Sequence, residues 1–171
     1  MTGSQSSAST RNLSRSASRV QQALAAAGIE SRVVELPQTT RSAQEAAAAI
    51  GYEVEQIAKS VVFRRVDTGL PVLVVLRGVD RVDTQRLAEH IGSAVERASP
   101  EFVREATGFA IGGVPPLGHE RPVEIVIDAA ILRHDVVWAA AGTPNAVFRA
   151  HPGQLAASAT VLPVAADEDS R

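Results

Sequence analysis

Hydrophobic and polar positions alternate along this chain in two periods, one typical of strands and one typical of helices. The clearest strand pattern lies in AKSVVFRRV and PVLVVLRG, two runs rich in β-branched residues that are joined by DTGL. Two such runs, separated by a short turn that contains Gly69, predict a β-hairpin.

Helices are predicted where apolar residues recur with the helical period between capping residues. Ser42 and Glu45 form a capping box at the start of SAQEAAAAIG, and Gly51 ends this segment. Four other segments are also predicted as helices: SRVQQALAAAG, VDTQRLAEHIG, SPEFVREATG and the short PGQLAAS. The expected caps are Gly28 at the end of the first, Asp83 at the start of the second, and Ser99, Pro100 and Gly108 in the third.

The remaining apolar runs predict further strands, most of them in the second half of the chain. These runs are SRVVEL, PVEIVIDAA, DVVWAAAG, NAVFRA and TVLPV. Hairpins and helices are interspersed without a regular strand–helix–strand repeat. The pattern therefore predicts an α+β fold with a mixed sheet, and not a doubly wound parallel sheet.

Length and composition predict one folded domain. The chain has 171 residues, of which 45% are hydrophobic, and a net charge of −2, so it can bury a substantial core. We place this domain at residues 16–163, between a disordered tail at 1–15 and a polar tail at 164–171. The first 29 residues hold no acidic residue, which is typical of an organellar transit peptide or of a disordered bacterial tail, and we favour the tail.

Several function classes are disfavoured. Without cysteine the chain has no disulfide, thiolate nucleophile or cysteine-based zinc site, which fits a reducing cytosol and a cytoplasmic location. No apolar run approaches the ~18–20 residues that span a bilayer. The near-neutral charge argues against a protein that wraps nucleic acid, so such a partner would be held at a small site or delivered by another protein. Phosphate-loop, dinucleotide and metal-ligand motifs are missing, so we expect no cofactor and no metal.

Lys59 is the only lysine, and the other sixteen basic residues are arginines. In the predicted hairpin Lys59 shares an apolar face with Val61 and Phe63, because alternate side chains of a strand point the same way. A charge on that face needs a partner or a ligand. The alternative is a stem that lies on the core with its ammonium group in water.

Two loops are further candidates. GFAIGGVPPLGH, residues 108–119, is long for a compact domain, and its glycines allow a ligand to approach backbone N–H groups closely. Such groups bind anionic or carbonyl oxygens. In AAGTPNAVF, residues 140–148, a strand breaks at Gly142, and Thr143 and Asn145 supply polar groups. The alternatives are an ordinary connecting loop and a hairpin turn.

These segments, in this order, resemble the YbaK / prolyl-tRNA synthetase-associated editing domain family over residues 39–155. The resemblance is carried by IAKSVVF, VLRGVDRVD, ASPEFVREATGFAIGGVPPLG, VEIVID and AAGTPNAVFRAHPGQL. It implies a mixed, curved sheet flanked by helices, with a pocket at one sheet edge. It also implies hydrolysis of the ester bond in mischarged aminoacyl-tRNA.

The resemblance also implies which residues form the site. Lys59 matches the pocket lysine of the family, expected to bind the phosphate of the terminal adenosine or to orient the aminoacyl group. Gly112 and Gly113 would offer N–H groups to the ester carbonyl and stabilise an oxyanion. The expected substrate contacts are Ser60, Val114, Pro115, Pro116, Gly142, Thr143 and Asn145. With no convincing side-chain nucleophile or base, attack by water or by a substrate hydroxyl or thiol is favoured.

The leading hypothesis is therefore a trans-acting aminoacyl-tRNA deacylase. It would act on the acceptor end of tRNA mischarged with a small amino acid such as Cys, Ala or Ser. The expected tRNA is tRNA for proline, and prolyl-tRNA synthetase is a candidate partner. Some family members place a histidine or another polar residue in the GTPN region, where this chain has Thr143 and Asn145, so the identity of the amino acid stays open. The alternatives are a non-catalytic module that binds tRNA or a synthetase, and a structural domain with Lys59 on its surface.

Overall fold

The fold is built on one mixed sheet of eight strands, seen in a computed structural model that describes residues 13–37 and 42–167. The strands are β1 (Val34–Glu35), β2 (Ile57–Arg65), β3 (Pro71–Arg77), β4 (Val95–Arg97), β5 (Glu124–Asp128), β6 (Val137–Ala140), β7 (Ala146–Ala150) and β8 (Thr160–Leu162). Their order is β1-β7-β6-β2-β3-β5-β8, and β4 also pairs with β2. The α+β class and the mixed sheet are confirmed.

The described residues form five helices, three of which begin at a capping residue that the sequence predicts. They are α1 (Arg15–Ala26), α2 (Ala43–Ile50), α3 (Thr84–Ile91), α4 (Pro100–Thr107) and α5 (Pro152–Ala156), with 3₁₀ turns at Val54–Gln56 and Ala129–Arg133. Ser42, Asp83 and Ser99 each accept a hydrogen bond from the backbone N–H three residues on. Gly51 and Gly108 end their helices in the left-handed conformation. Among the described residues, no helix is long and apolar enough to cross a membrane.

Both faces of the sheet are covered by helices. Even-numbered residues of β2, such as Ala58 and Val62, share a core with α1 and with Val103 of α4. Phe63, on the opposite face, packs with Leu87 of α3. Strand β3, in the middle of the sheet, is buried on both faces from Val72 to Leu76. The predicted β2–β3 hairpin is confirmed, and its antiparallel register places Lys59 opposite Leu76.

Strand β2 changes partners along one edge, and this opens a gap in the sheet. Ile57 and Ala58 pair in parallel with β6, whereas Phe63, Arg64 and Arg65 pair antiparallel with β4. Residues 59–62 between them have no strand partner on this side, although Val62 accepts a hydrogen bond from Ala98. Because a sheet edge without a partner strand leaves room for other groups, the gap creates a crevice that begins at Lys59.

Some boundaries differ from the predicted ones. Strand β4 was not predicted, because VER is too short and too polar to show a period. The strand predicted in SRVVEL has only two residues. The chain remains packed against the domain beyond residue 163. Val164 is fully buried, and Ala165 forms an isolated antiparallel β-bridge with Val82. The predicted tails lie outside the described residues, except for residues 13–15 and 164–167.

Candidate functional site

A cavity of about 510 Å³ occupies the gap beside β2. A volume of this size is within the usual range of small-ligand sites. Its wall is formed by the first half of β2, the turn that follows β3, the first turn of α2, part of the glycine- and proline-rich loop, and the facing ends of β6 and β7. Segments that are far apart in sequence therefore meet where the sheet is open.

Lys59 lies in this wall, near the start of β2. Its Nζ donates a hydrogen bond to the carbonyl oxygen of Gly78 at 3.4 Å. Gly78 is tightly packed under α2, since a Cβ there would lie 2.7 Å from the Val54 carbonyl oxygen and 2.8 Å from the Ala43 Cβ. The fold thus fixes the carbonyl that holds the ammonium group at the cavity.

Asp80, in the turn after β3, is a buried carboxylate in the same wall, with 1% of its surface exposed. Both of its oxygens accept hydrogen bonds from Arg77, Oδ2 from Nε at 2.7 Å and Oδ1 from Nη2 at 3.1 Å. These bonds raise the pKa of Arg77 above its ordinary value. A bidentate pair of this kind holds the turn rigid beside the cavity.

The loop of residues 108–119 contributes two residues to the wall, Gly112 and Val114. Gly112 has a φ of 90°, a conformation that favours glycine. The N–H of Gly113 donates to the Ala110 carbonyl oxygen at 3.0 Å. The N–H groups of Gly112 and Val114 have no partner among the described residues. They are therefore the loop's available donors beside the cavity.

The turn between β6 and β7 braces this loop from behind. The N–H of Gly142 donates to the Gly113 carbonyl oxygen at 2.9 Å. Thr143 Oγ1 donates to Asn145 Oδ1 at 2.8 Å, and Asn145 Nδ2 donates to the Leu36 carbonyl oxygen at 3.1 Å. Both side chains thus hold the turn to the end of β1.

His119 closes the other end of the loop. Its Nε2 lies 2.7 Å from the Pro115 carbonyl oxygen, and its ring meets Phe109 edge to face. A nitrogen that approaches a carbonyl oxygen must carry the proton, so Nε2 is the protonated nitrogen of the neutral ring. Burial lowers the pKa of His119 below its ordinary value.

The structure divides the predicted site residues into two groups. Lys59, Ser60, Gly112 and Val114 line the cavity. The others lie outside its wall, around the loop and the β6–β7 turn: Gly113, Pro115, Pro116, Gly142, Thr143 and Asn145. Ser60 Oγ is buried and has no hydrogen-bond partner among the described residues.

Sequence reasoning missed several residues of the wall. Gly78 and Asp80 lie in VLRGVDRVD, where a glycine and an aspartate that directly follow a buried strand were the available signal. Trp138 of β6 also lines the cavity and packs edge to face on Tyr52, with 5.5 Å between ring centres. Its position on the wall depends on the pairing of β6 with β2, which no local pattern shows. The described residues contain no group of three or more His, Cys, Asp or Glu side chains that could hold a metal.

Comparison with known proteins assigns this fold and site to a known class of domain. The chain belongs to the aminoacyl-tRNA editing domain family, whose model matches residues 37–157. The resemblance to the YbaK / prolyl-tRNA synthetase-associated editing domains is confirmed. A solved structure described as a candidate trans-editing enzyme for prolyl tRNA synthetase is 46% identical, with a TM-score of 0.86 over 91% of this chain and 100% of that one.

Relatives known from sequence agree with this family. The uncharacterized protein YwhH of Bacillus subtilis (strain 168) is 31% identical over 126 residues, which cover 74% of this chain and 80% of YwhH. Proline–tRNA ligase of Bacillus cereus (strain AH187) is 35% identical over 92 residues, 53% of this chain. That match covers only 16% of the ligase, so the similarity concerns one part of the larger enzyme.

Proposed function

We propose that the protein is a trans-acting deacylase that hydrolyses the ester bond of tRNA mischarged with a small amino acid. The observation that carries this proposal is the cavity itself, whose wall contains the chain's one lysine together with Gly112 and Val114 of the glycine-rich loop. Cys, Ala and Ser are the proposed amino acids, tRNA for proline the proposed tRNA, and the cytoplasm the proposed location. Prolyl-tRNA synthetase is the proposed partner, in line with the solved relative's description.

Binding and charge stabilisation would supply the catalysis. The Lys59 ammonium group binds the phosphate of the terminal adenosine or orients the aminoacyl group. Gly112 and Val114 donate their N–H groups to the ester carbonyl oxygen, where negative charge develops as the bond is attacked. Gly113 is the other predicted donor, but its N–H already bonds to Ala110.

The attacking group would come from water or from the substrate. Of the described residues that line the cavity, none is a histidine, and Asp80 is the one carboxylate. Both Asp80 oxygens already accept hydrogen bonds from Arg77, so we do not assign it as the general base. A site that holds ester and nucleophile in the reactive geometry accelerates the reaction without a side-chain base.

A small cavity of this kind suits the correction of small amino acids. A synthetase separates side chains that differ by one methylene by only ~1–3 kcal/mol, so a second site must remove the errors. Val114 and Ser60, on the wall, are the proposed contacts of the amino-acid side chain. The other proposed contacts, Gly142, Thr143 and Asn145, would act by holding the glycine-rich loop in place.

Deacylation assays test this proposal directly. Cys-, Ala- and Ser-charged tRNA for proline are incubated with the wild-type protein and with Lys59→Ala, and correctly charged Pro-tRNA serves as the control. We expect release from at least one mischarged species, loss of release in the variant, and little change in thermal stability. No release by folded wild-type protein, with tRNA still bound, would instead indicate a non-catalytic binding module.

A further inference from the structure

A second groove, of about 470 Å³, adjoins the cavity on the Lys59 face of the sheet. Lys59 and Arg81 line both spaces, so the groove and the cavity meet at these two side chains. The groove continues past Val61 of β2 towards Arg97 of β4 and Thr84 at the start of α3. It therefore forms a path that leads away from the reaction site along the face of β2.

The groove is positively charged in a chain whose net charge is −2. Its lining contains Lys59, Arg81 and Arg97 and no acidic side chain. Neither arginine forms an ion pair with a described acidic residue, whereas Arg64, Arg65, Arg77 and Arg86 do. Arg97 lies opposite Phe63 in the β2–β4 register, which places its side chain on the groove side of the sheet. Two exposed guanidinium groups are thus presented along one path.

We propose that this groove binds the phosphodiester backbone of the single-stranded tRNA end, next to the esterified nucleotide. The inference rests on the proposed function, because it takes the cavity as the site of the aminoacyl ester. The planar fork of arginine matches two phosphate oxygens, and the fork keeps its charge at any physiological pH. The strand would leave the cavity beside Lys59, pass Arg81 and reach Arg97.

The geometry favours RNA over an acidic protein surface. The groove adjoins the cavity at Lys59 and Arg81. On the proposed function the cavity holds the last nucleotide, so the preceding nucleotides need a path that starts beside it. A few phosphate contacts along such a path also suit a chain of low net charge, which cannot hold tRNA by a broad basic surface. Between the arginines, Val61 and Val82 offer apolar surface to sugars and bases.

The salt dependence of tRNA binding tests this inference. Labelled uncharged tRNA for proline is titrated with wild type, Arg81→Gln, Arg97→Gln and the double variant across a series of KCl concentrations. Glutamine keeps a flexible side chain with a polar end but removes the positive charge. Arg133→Gln is the matched control, an exposed arginine outside both spaces. We expect the slope of log affinity against log salt to fall by about 0.7 for each groove arginine removed, and to stay unchanged in the control.

A second readout separates this inference from the proposed function. The KM for charged tRNA should rise more in Arg97→Gln than the KM for a small aminoacyl ester of adenosine, which is too short to reach the groove. If wild type hydrolyses neither substrate, the proposed function fails, while the slope measurement still decides the groove. Unchanged slopes, equal losses in Arg133→Gln, or an effect on synthetase binding alone would overturn the inference.

Discussion

The guanidinium carbon of Arg19 lies 4.5 Å from the centre of the Phe109 ring. The same guanidinium donates a hydrogen bond to the Gly108 carbonyl oxygen at 3.2 Å and pairs with Glu120 at 3.2 Å. Helix α1, which precedes the residues matched by the family model, thus contacts both ends of the loop that lines the cavity. We therefore expect Arg19 to help hold this loop in place.

Replacing Arg19 by alanine should loosen the loop. A cation–π contact at a partly exposed site contributes about 0.5–1 kcal/mol and the hydrogen bond about 1 kcal/mol. We expect Arg19→Ala to lower the free energy of unfolding by about 1–2 kcal/mol, measured by urea denaturation, and to slow deacylation. Glu120→Gln is the control, and we expect it to cost less than 1 kcal/mol, roughly, since an ion pair to an exposed carboxylate contributes little. Equal losses of unfolding free energy in Arg19→Ala and Glu120→Gln would show that the contact between Arg19 and the Phe109 ring contributes little.

Gly113 packs directly on the backbone of the β6–β7 turn. A Cβ at this position would lie 2.7 Å from the Thr143 Cα and 2.8 Å from the Gly142 carbonyl carbon. Backbone atoms cannot move aside cheaply, so Gly113→Ala should cost about 1–3 kcal/mol of stability and should also displace Gly112. Gly153→Ala is the comparison, because its Cβ would meet only the His151 side chain, at 3.0 Å. If urea denaturation shows the same small change in the free energy of unfolding for both variants, Gly113 is not tightly packed against the turn.

The sequence predicted the elements of this fold well because their ends are chemically marked. Ser42, Asp83 and Ser99 start helices where they were expected, since their side chains accept backbone N–H bonds that few other residues can accept. The β2–β3 hairpin followed from two β-branched runs around a turn. Strand β4 was missed because its existence depends on the edge of β2 and not on its own three residues.

The candidate site was harder to predict, because it depends on pairing between distant segments. Lys59 stood out by composition, and the strand period placed it on the correct face. Lys59 also lies where the sheet is open, and this could not be predicted locally because it depends on the change of strand partner from β6 to β4. The contacts of Arg19 with the glycine-rich loop join positions 89 residues apart, so no local pattern could show them.

Replacing Lys59 by arginine should not preserve the proposed activity, although it keeps the positive charge. The ammonium group is compact and bonds to the Gly78 carbonyl oxygen, whose residue is fixed under α2. A guanidinium fork is larger and planar, so it would occupy space that the substrate needs. We expect the kcat/KM of Lys59→Arg for mischarged tRNA to be close to that of Lys59→Ala and at least about tenfold below wild type, a loss of about 1.4 kcal/mol. Activity near the wild-type value would show that charge alone is sufficient.

The stability of the glycine-rich loop should depend on pH through His119. Burial lowers the pKa of this imidazole in the folded protein below the ordinary value of about 6.5. The unfolded chain therefore binds the proton more readily, and the contribution of His119 to stability is present above about pH 6.5 and is lost as the pH falls through the folded-state pKa. In His119→Gln, the amide can still donate to the Pro115 carbonyl oxygen but cannot titrate. Urea denaturation at pH 7.5 and pH 5.5 should show a larger acid-induced loss in wild type than in His119→Gln. Because the other three histidines are common to both proteins, equal losses would mean that His119 does not couple folding to pH.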